Sequence, residues 1–405
     1  MNLEYCRIAV LYKCWGLFIF KQSPVANPLS ICMVSDDFLP AATGVGVHIK
    51  LVASELVHRG HRVCVITSRR TGEPEIEQWQ GVTIYRVFTV KVYGFYQALP
   101  SAATVREILE RVKPDLVHHH YAGIMMGQVC RVAESLKLRQ ISTYHFSAEV
   151  LTQPLPMRPL RGLIRRLMRH YNNRFNLVIA PSQNLARQIA SEGVTTPVRY
   201  ITNPVALGDS TGVVPAERTS GFTVLYAGRL GVEKNIGYLI KAFAALQESV
   251  PEAVLWIAGR GPEGPALQSL SAQLKVSEKI KFLGFLDHSA LAQYYAACDV
   301  FVLPSLQEAQ PLVAMEAMWF GRPVIVTRAI VAAEEMVEQG VNGYIVDPDS
   351  LDDLTSRLRL LAVEPELRVT QGKASRQRAN AYRPELVVDT LESVYRELLV
   401  SDCRG

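Results

Sequence analysis

The sequence predicts an α/β protein made of two doubly wound parallel-sheet domains facing each other across a cleft. Three observations predict it. Short apolar runs, such as those at 31–34, 177–180 and 300–303, alternate with amphipathic stretches of helical period from residue 31 onward. The alternation lapses once, over the small, polar and patternless residues 206–221, and then restarts at Phe222. Finally, 405 residues, 49% of them hydrophobic and 20% charged, suffice for two well-buried domains and match neither a disordered nor a spanning chain.

Residues 1–28 precede the alternation. The stretch 7–20 is apolar but is interrupted by Lys13 and is short for a bilayer span, and Ala26 offers a poor cleavage site. An accessory extension is expected there, with a membrane-touching segment as the minority reading. The first domain, 29–205, takes strands at 31–34, 62–67, 82–87, 116–117, 140–143, 177–180 and 198–201. Its helices fall over 47–59 and 102–111, from Gly123, before Asn176 and from Ser182. After a linker at 206–221, the second domain, 222–375, takes strands at 222–226, 253–257, 280–282, 300–303, 324–326 and 343–346. Helices are expected at 236–250, 264–274, 289–297, from about Pro311, at 334–339 and at 351–361. In 376–405 a basic, uncapped stretch around Arg376 and Arg378 precedes a last helix at 385–399.

The net charge of +5 is mild and gives no argument for nucleic acid. Seven cysteines, at 6, 14, 32, 64, 130, 298 and 403, form no Cys-x-x-Cys pair, so a reducing cytosol fits.

The residues that carry chemistry cluster after strands. Glu308 lies in the loop after the strand at 300–303, and a helix opens at about Pro311, which suits a first helical position because its missing N–H has no intrahelical partner. The N–H groups of Leu312 and Val313 then point out of the turn, where they and the helix dipole favour an anion. Glu316 follows just over one turn on. Two carboxylates flanking an anion site point to a sugar joined to a phosphate, although acids near a helix start are common on dipole grounds alone. After the strand at 222–226, Gly228 lets the backbone turn close to a ligand, and Arg229 and Lys234 offer two cations. Gly259-Arg260-Gly261-Pro262 follows the next strand; a Gly-x-Gly turn alone is usually a tight loop. In the first domain, Gly44-Val45-Gly46 stands too far from its strand and lacks the third glycine of a dinucleotide fingerprint. His118, His119 and His120 are placed at a strand end facing the cleft, as is His145; three in a row without a partner acid allow a weak metal site, but no acidic pair with metal-ligand spacing is evident, so a divalent ion need not be invoked. The stretch 157–171 carries arginines at 158, 161, 165, 166 and 169 and no acid, with Leu160, Leu163, Ile164, Leu167, Met168 and Tyr171 on one helical stripe. That pattern fits an interfacial helix on an anionic membrane, or a core-facing helix with an exposed basic back.

Taken together, Glu308-x7-Glu316 followed by Gly321-x-Pro323-Val324, and Gly228-Arg229-Leu230 with Lys234, resemble the retaining GT-B glycosyltransferases of family 4 over about residues 31–400. The resemblance implies two Rossmann-like domains, a last helix crossing back to the first, and glycosyl transfer with retention from a nucleotide-diphosphate sugar, a substrate rather than a cofactor. It implies that Glu308 contacts the donor sugar, Glu316 the ribose, and Arg229 and Lys234 the diphosphate. It also implies that Gly259 and Gly261 line the nucleotide, that the segment 282–285 lies against the base, that the Gly44 N–H approaches the donor phosphate, and that His145 contacts donor or acceptor near the reacting centre. Ala309, Gln310 and Phe146 depart from the family's commoner residues. The expected acceptor is a glycan or lipid, and the expected location cytoplasmic, peripheral on the inner face of the membrane. A nucleotide-sugar epimerase or hydrolase, and a catalytically silent nucleotide-sugar-binding subunit, are the alternatives.

Overall fold

The computed structural model describes residues 27–40, 43–92, 95–120, 123–145, 159–205, 212–217 and 221–400. The expectations for residues 1–26, for most of the linker and for Phe146, Met157 and Arg158 lie outside the described residues.

The first lobe runs β1 (Ser30–Val34), α1 (Gly44–His58), β2 (Arg62–Ser68), β3 (Ile76–Trp79), β4 (Val82–Val87), β5 (Thr89–Val92), β6 (Phe95–Ala98), α2 (Ala102–Val112) and β7 (Leu116–His119). It continues with α3 (Ile124–Ser135), β8 (Arg139–Thr143), α4 (Arg161–Asn172), β9 (Leu177–Ala180), α5 (Gln183–Ser191) and β10 (Val198–Tyr200). Its eight-stranded sheet has the order β10-β9-β8-β7-β1-β2-β4-β3, parallel except at the β3–β4 pair. Both faces are covered, so alternate residues of β1 enter different cores: Ile31 and Met33 on one side, Cys32 and Val34 on the other. The periodicity missed β3 and the small β5–β6 hairpin. Ile76 and Glu77 of β3 lie on the sheet's edge, where solvent removes the apolar signature of a buried strand.

The second lobe runs β11 (Thr223–Ala227), α6 (Ile236–Gln247), β12 (Val254–Ala258), α7 (Gly264–Gln273), β13 (Ile280–Gly284), α8 (His288–Ala297), β14 (Val300–Leu303) and α9 (Leu312–Trp319). Then come β15 (Val324–Thr327), α10 (Ala333–Met336), β16 (Gly343–Val346), α11 (Leu351–Val363), α12 (Pro365–Ala379) and α13 (Pro384–Val400). Its six strands are ordered β13-β12-β11-β14-β15-β16, and every pair is parallel.

Helix α12 corrects the expectation of an uncapped stretch around Arg376 and Arg378. It buries Gln371, Gly372, Ser375 and Ala379 rather than large apolar residues, so hydrophobic period could not reveal it. It docks by backbone approach: a Cβ on Gly372 would stand 2.3 Å from the Gly321 carbonyl oxygen. Helix α13 crosses to the first lobe as expected. Val387, Val388, Leu391, Val394 and Tyr395 enter the same core as Ile31, Ile49 and Leu56, and Arg59 of α1 pairs with Asp389 and Glu392.

Each sheet reverses its strand order once. In the first, β1 lies between β2 and β7; in the second, β11 lies between β12 and β14. Loops leaving the two strands at such a point diverge and open a crevice at their carboxyl ends, where open α/β sheets bind ligands.

Candidate active site

The loops that flank the reversal in the second sheet carry the predicted charged residues. The loop after β11 holds Arg229 and, in a 3-10 turn over Val232–Lys234, Lys234; the loop after β14 holds Glu308. Lys234 Nζ forms an ion pair with Glu308 Oε1, and the Leu306 N–H donates to the Glu233 carbonyl at 2.8 Å, so side chain and backbone both tie the loops together. Glu308 is also pinned through its backbone, its carbonyl accepting from the Val331 N–H at 2.9 Å. Arg229 pairs with Glu233. The structure thus brings Arg229, Lys234 and Glu308 into one corner, but each cation already holds a carboxylate, where the sequence reading had treated both as standing positive potential.

Pro311 is the N-cap of α9, in extended conformation with φ −78° and ψ 116°, rather than its first helical residue. Leu312 and Val313 open the helix, and their N–H groups have no partner among the described residues. Gly44 also opens a helix instead of sitting in the preceding loop: Thr43 caps α1 and accepts from the Gly46 N–H at 3.3 Å. A Cβ built on Gly44 would lie 3.9 Å from Leu312 Cδ1, so the openings of α1 and α9 meet across the cleft. The first residues of two helices, whose N-termini carry positive dipole ends, are thus neighbours there, and Glu308 lies four residues before the second.

Glu316 is buried and engaged. Its Oε2 accepts from the Tyr295 hydroxyl at 3.0 Å, and its Oε1 lies 3.8 Å from His288 Nδ1. Burial raises its pKa, while His288 and the Tyr295 hydrogen bond pull the other way. Phe282 packs on the second core, whereas Phe285 is exposed.

The predicted glycines have a packing explanation. A Cβ on Gly259 would fall 1.8 Å from the Gly228 carbonyl oxygen, and one on Gly261 2.3 Å from that of Leu230. Gly228 has φ +149° and Gly259 φ +144°. The turns after β11 and β12 therefore interlock, and the glycines are needed for turn against turn. Gly259→Ala is expected to cost more than 2 kcal/mol on the order of a strained core substitution and to disturb Arg229; an unchanged denaturation midpoint would contradict this.

Gln310, unremarkable by charge or period, links the lobes. Its Nε2 donates to Thr202 Oγ1 at 2.8 Å and its Oε1 accepts from the Asn203 N–H at 2.9 Å. Ala309 and Val331 pack on the first-lobe cluster around Tyr144 and Met168. On the same interface the Glu335 carboxylate accepts from the Gln183 and Asn184 N–H groups at the start of α5. The two departures at 309 and 310 are thus interlobe contacts.

The histidines divide by the two-residue period of a strand, and the expectation that 118, 119 and 120 face one cleft is corrected. His119 turns to the opposite face, stacking on Phe175 and bonding Gln140 at 2.9 Å. His118 is fixed between the hydroxyls of Tyr395 and Thr143, at 2.7 Å each. Beyond it, His120 Nδ1 lies 3.3 Å from His145 Nε2, and the His48 ring of α1 stands 4.7 Å from that of His145. His48 was not among the predicted residues; its placement one turn into α1 was the available signal.

Burial lowers the pKa of His48 and His119 to about 4, and lowers His118, His120 and His145 well below the ordinary range, with neighbouring imidazoles adding to it. Burial raises Asp36 to about 7, opposed by the Ala98 N–H, and Asp37 to about 6, opposed by Arg70. The imidazoles contribute stability that is present above pH 6.5 and lost as pH falls through about 4, because the unfolded chain binds the extra protons. The aspartates act oppositely: their protonated forms stabilise below 3.8, a contribution lost as pH rises through 6 to 7. Burial also lowers His61 and raises Glu316, so six imidazoles oppose three carboxyls and outweigh them. Urea midpoints are therefore expected to fall from pH 7 to 4.5, by about 1.4 kcal/mol per pH unit for each unbalanced proton; a flat or rising profile would contradict the assignment.

The basic helix is α4 from Arg161 on. Ile164 and Met168 face the first-lobe cluster, while Leu160, Leu163 and Leu167 stand exposed beside Arg161, Arg165 and Arg166. Its apolar stripe is shared between core and solvent.

Comparison with known proteins agrees with this architecture. Residues 214–378 match the family Glycosyl transferases group 1, and residues 42–208 match Glycosyltransferase Family 4. The chain is 26% identical over 400 residues to an alpha-monoglucosyldiacylglycerol synthase of Acholeplasma laidlawii, covering 92% of this chain and 98% of that protein. It is 27% identical over 387 residues to a D-inositol 3-phosphate glycosyltransferase of Geodermatophilus obscurus, covering 87% and 84%. In fold it resembles sucrose-phosphate synthase from Thermosynechococcus elongatus (TM-score 0.77, 21% identity, 92% of this chain and 99% of that one). It also resembles Anabaena HepE crystallised with UDP-glucose (TM-score 0.73, 18% identity, 91% and 100%).

Proposed function

Since the chain is a GT-B glycosyltransferase of family 4, group 1, we propose that it moves a hexosyl group from a nucleotide-diphosphate sugar to an acceptor hydroxyl with retention of anomeric configuration. The observation that carries the reading is the Lys234–Glu308 pair, set at the strand-order reversal and facing the meeting point of two helix openings. The diphosphate enters between Arg229, Lys234 and the N–H groups of Leu312 and Val313, with the α1 opening at Gly44 on the far wall. It displaces Glu308 from Lys234, and the freed carboxylate turns to the sugar hydroxyls. As the glycosidic bond to the diphosphate breaks, charge accumulates on the leaving oxygen, where these fixed donors stabilise it most. Glu316 receives the ribose, exchanging its bond with the Tyr295 hydroxyl for ribose hydroxyls. His145 orients the sugar from the first lobe. Ala309 and Gln310 serve interlobe packing, and the silent-subunit alternative is separated from transfer by whether bound nucleotide sugar turns over.

The relative named for monoglucosyldiacylglycerol synthesis supports a lipid or envelope-glycan acceptor. Among the described residues no helix is long and apolar enough to cross a membrane. The exposed leucines of α4 with their flanking arginines support peripheral docking on an anionic, cytoplasm-facing surface, each basic residue near it adding about 1 kcal/mol. Sedimentation with phosphatidylglycerol vesicles but not phosphatidylcholine vesicles is expected, and is expected to weaken in Leu163→Gln/Leu167→Gln; equal recovery with both lipids would remove this docking mode. The reaction itself is tested with a panel of nucleotide sugars, measuring released nucleoside diphosphate with and without acceptor. Release that requires an acceptor supports transfer, and conversion of the donor alone would favour the epimerase or hydrolase reading.

A further inference from the structure

We propose that His48, His120 and His145 form a binding site for a divalent ion of the zinc class at the carboxyl edge of the first sheet. They come from three elements: α1, the end of β7 and the end of β8. One nitrogen from each lies within 4.8 Å of the other two. Two nitrogens bound at about 2.0–2.1 Å to a tetrahedral ion stand about 3.4 Å apart. His120 Nδ1 and His145 Nε2, at 3.3 Å, already have that spacing, and a His48 nitrogen lies within 4.8 Å of both.

A second observation is independent of the spacing. The nitrogens of His48, 5% exposed, meet no hydrogen bond of good geometry, the Asn203 side chain being the polar group that interacts with the ring. A buried polar atom without a partner costs about 1–3 kcal/mol, which a bound ion would recover at His48. Three imidazoles without a carboxylate suit zinc and exclude magnesium or calcium as the preferred ion. His118, held by Tyr395 and Thr143, stacks on His120 with ring centroids 3.9 Å apart and fixes the orientation of that ring. The fourth position is left to water or a ligand hydroxyl.

If His145 orients the donor sugar, as proposed above, an ion here competes with that sugar. That consequence rests on the glycosyl-transfer reading; the ion binding does not. The test uses the full chain without a polyhistidine tag, stripped with chelator and titrated with cobalt(II) chloride. The visible ligand-field band of tetrahedral cobalt is expected to saturate at one equivalent and to bleach on adding zinc. His48→Gln and His120→Gln are expected to abolish it, while His119→Gln, whose ring faces the opposite side, retains it. Folding of each variant is checked by circular dichroism, and zinc is expected to raise the melting temperature of the unaltered protein but not of His48→Gln. Absence of a one-equivalent tetrahedral band, or a band that survives both His48→Gln and His120→Gln, overturns the proposal.

Discussion

Lys234→Ala is expected to lower glycosyl transfer by about 10²- to 10³-fold, the range for losing one preorganised charge donor at a developing anion, with little change in the denaturation midpoint. Lys234 lies in a short turn and belongs to none of the hydrophobic clusters, its side chain 17% exposed and held by Glu308. Its substitution has two consequences, the loss of a cation and an orphaned Glu308 carboxylate, and the double variant Lys234→Ala/Glu308→Gln separates them. If Lys234 acts on the diphosphate, the double variant binds nucleoside diphosphate more weakly than Glu308→Gln alone does. Equal binding by the two would show that the lysine only neutralises the acid.

Glu308→Gln is expected to lose transfer by a similar factor through a different route. The glutamine keeps the size of the side chain and the backbone bond to Val331 while giving up the ion pair with Lys234. On the proposed reading, a nucleoside diphosphate displaces that carboxylate to reach the ammonium of the unaltered protein. In Glu308→Gln the ammonium is released, so nucleoside diphosphate binds more tightly while the sugar is no longer held. Calorimetric titration beside initial rates gives the readout: tighter product binding with lost turnover is expected, whereas weakened binding would place Glu308 among the diphosphate's own contacts. At Lys234→Ala the binding change has the opposite sign, so the two variants are told apart by affinity as well as by rate.

Much of this corner was legible because charge and strand order are written locally. Arg229, Lys234 and Glu308 each follow an apolar strand within a few residues, and doubly wound topology then brings the loops after β11 and β14 together. What local pattern could not carry was pairing between distant segments. Nothing near Lys234 announces that Glu308 is its partner, and nothing near Gln310 announces Thr202 and Asn203. His48 sits in an ordinary amphipathic helix, and only the tertiary fold sets its ring beside His145. At Gly259 and Gly261 the sequence does not announce the second demand on the glycine, that a side chain there would strike Gly228 and Leu230. Helix α12 escaped because it docks through small and polar residues, against which hydrophobic period is silent.

The crossing of α13 imposes an order of assembly during synthesis. Residues 29–205 leave the ribosome long before Val387, Leu391 and Tyr395, the side chains that complete their core and anchor His118. Until then α1 shows an apolar flank to water, while the second lobe emerges with its own cluster nearly whole. A nascent chain stalled before residue 384 would offer chaperones an unsealed first sheet.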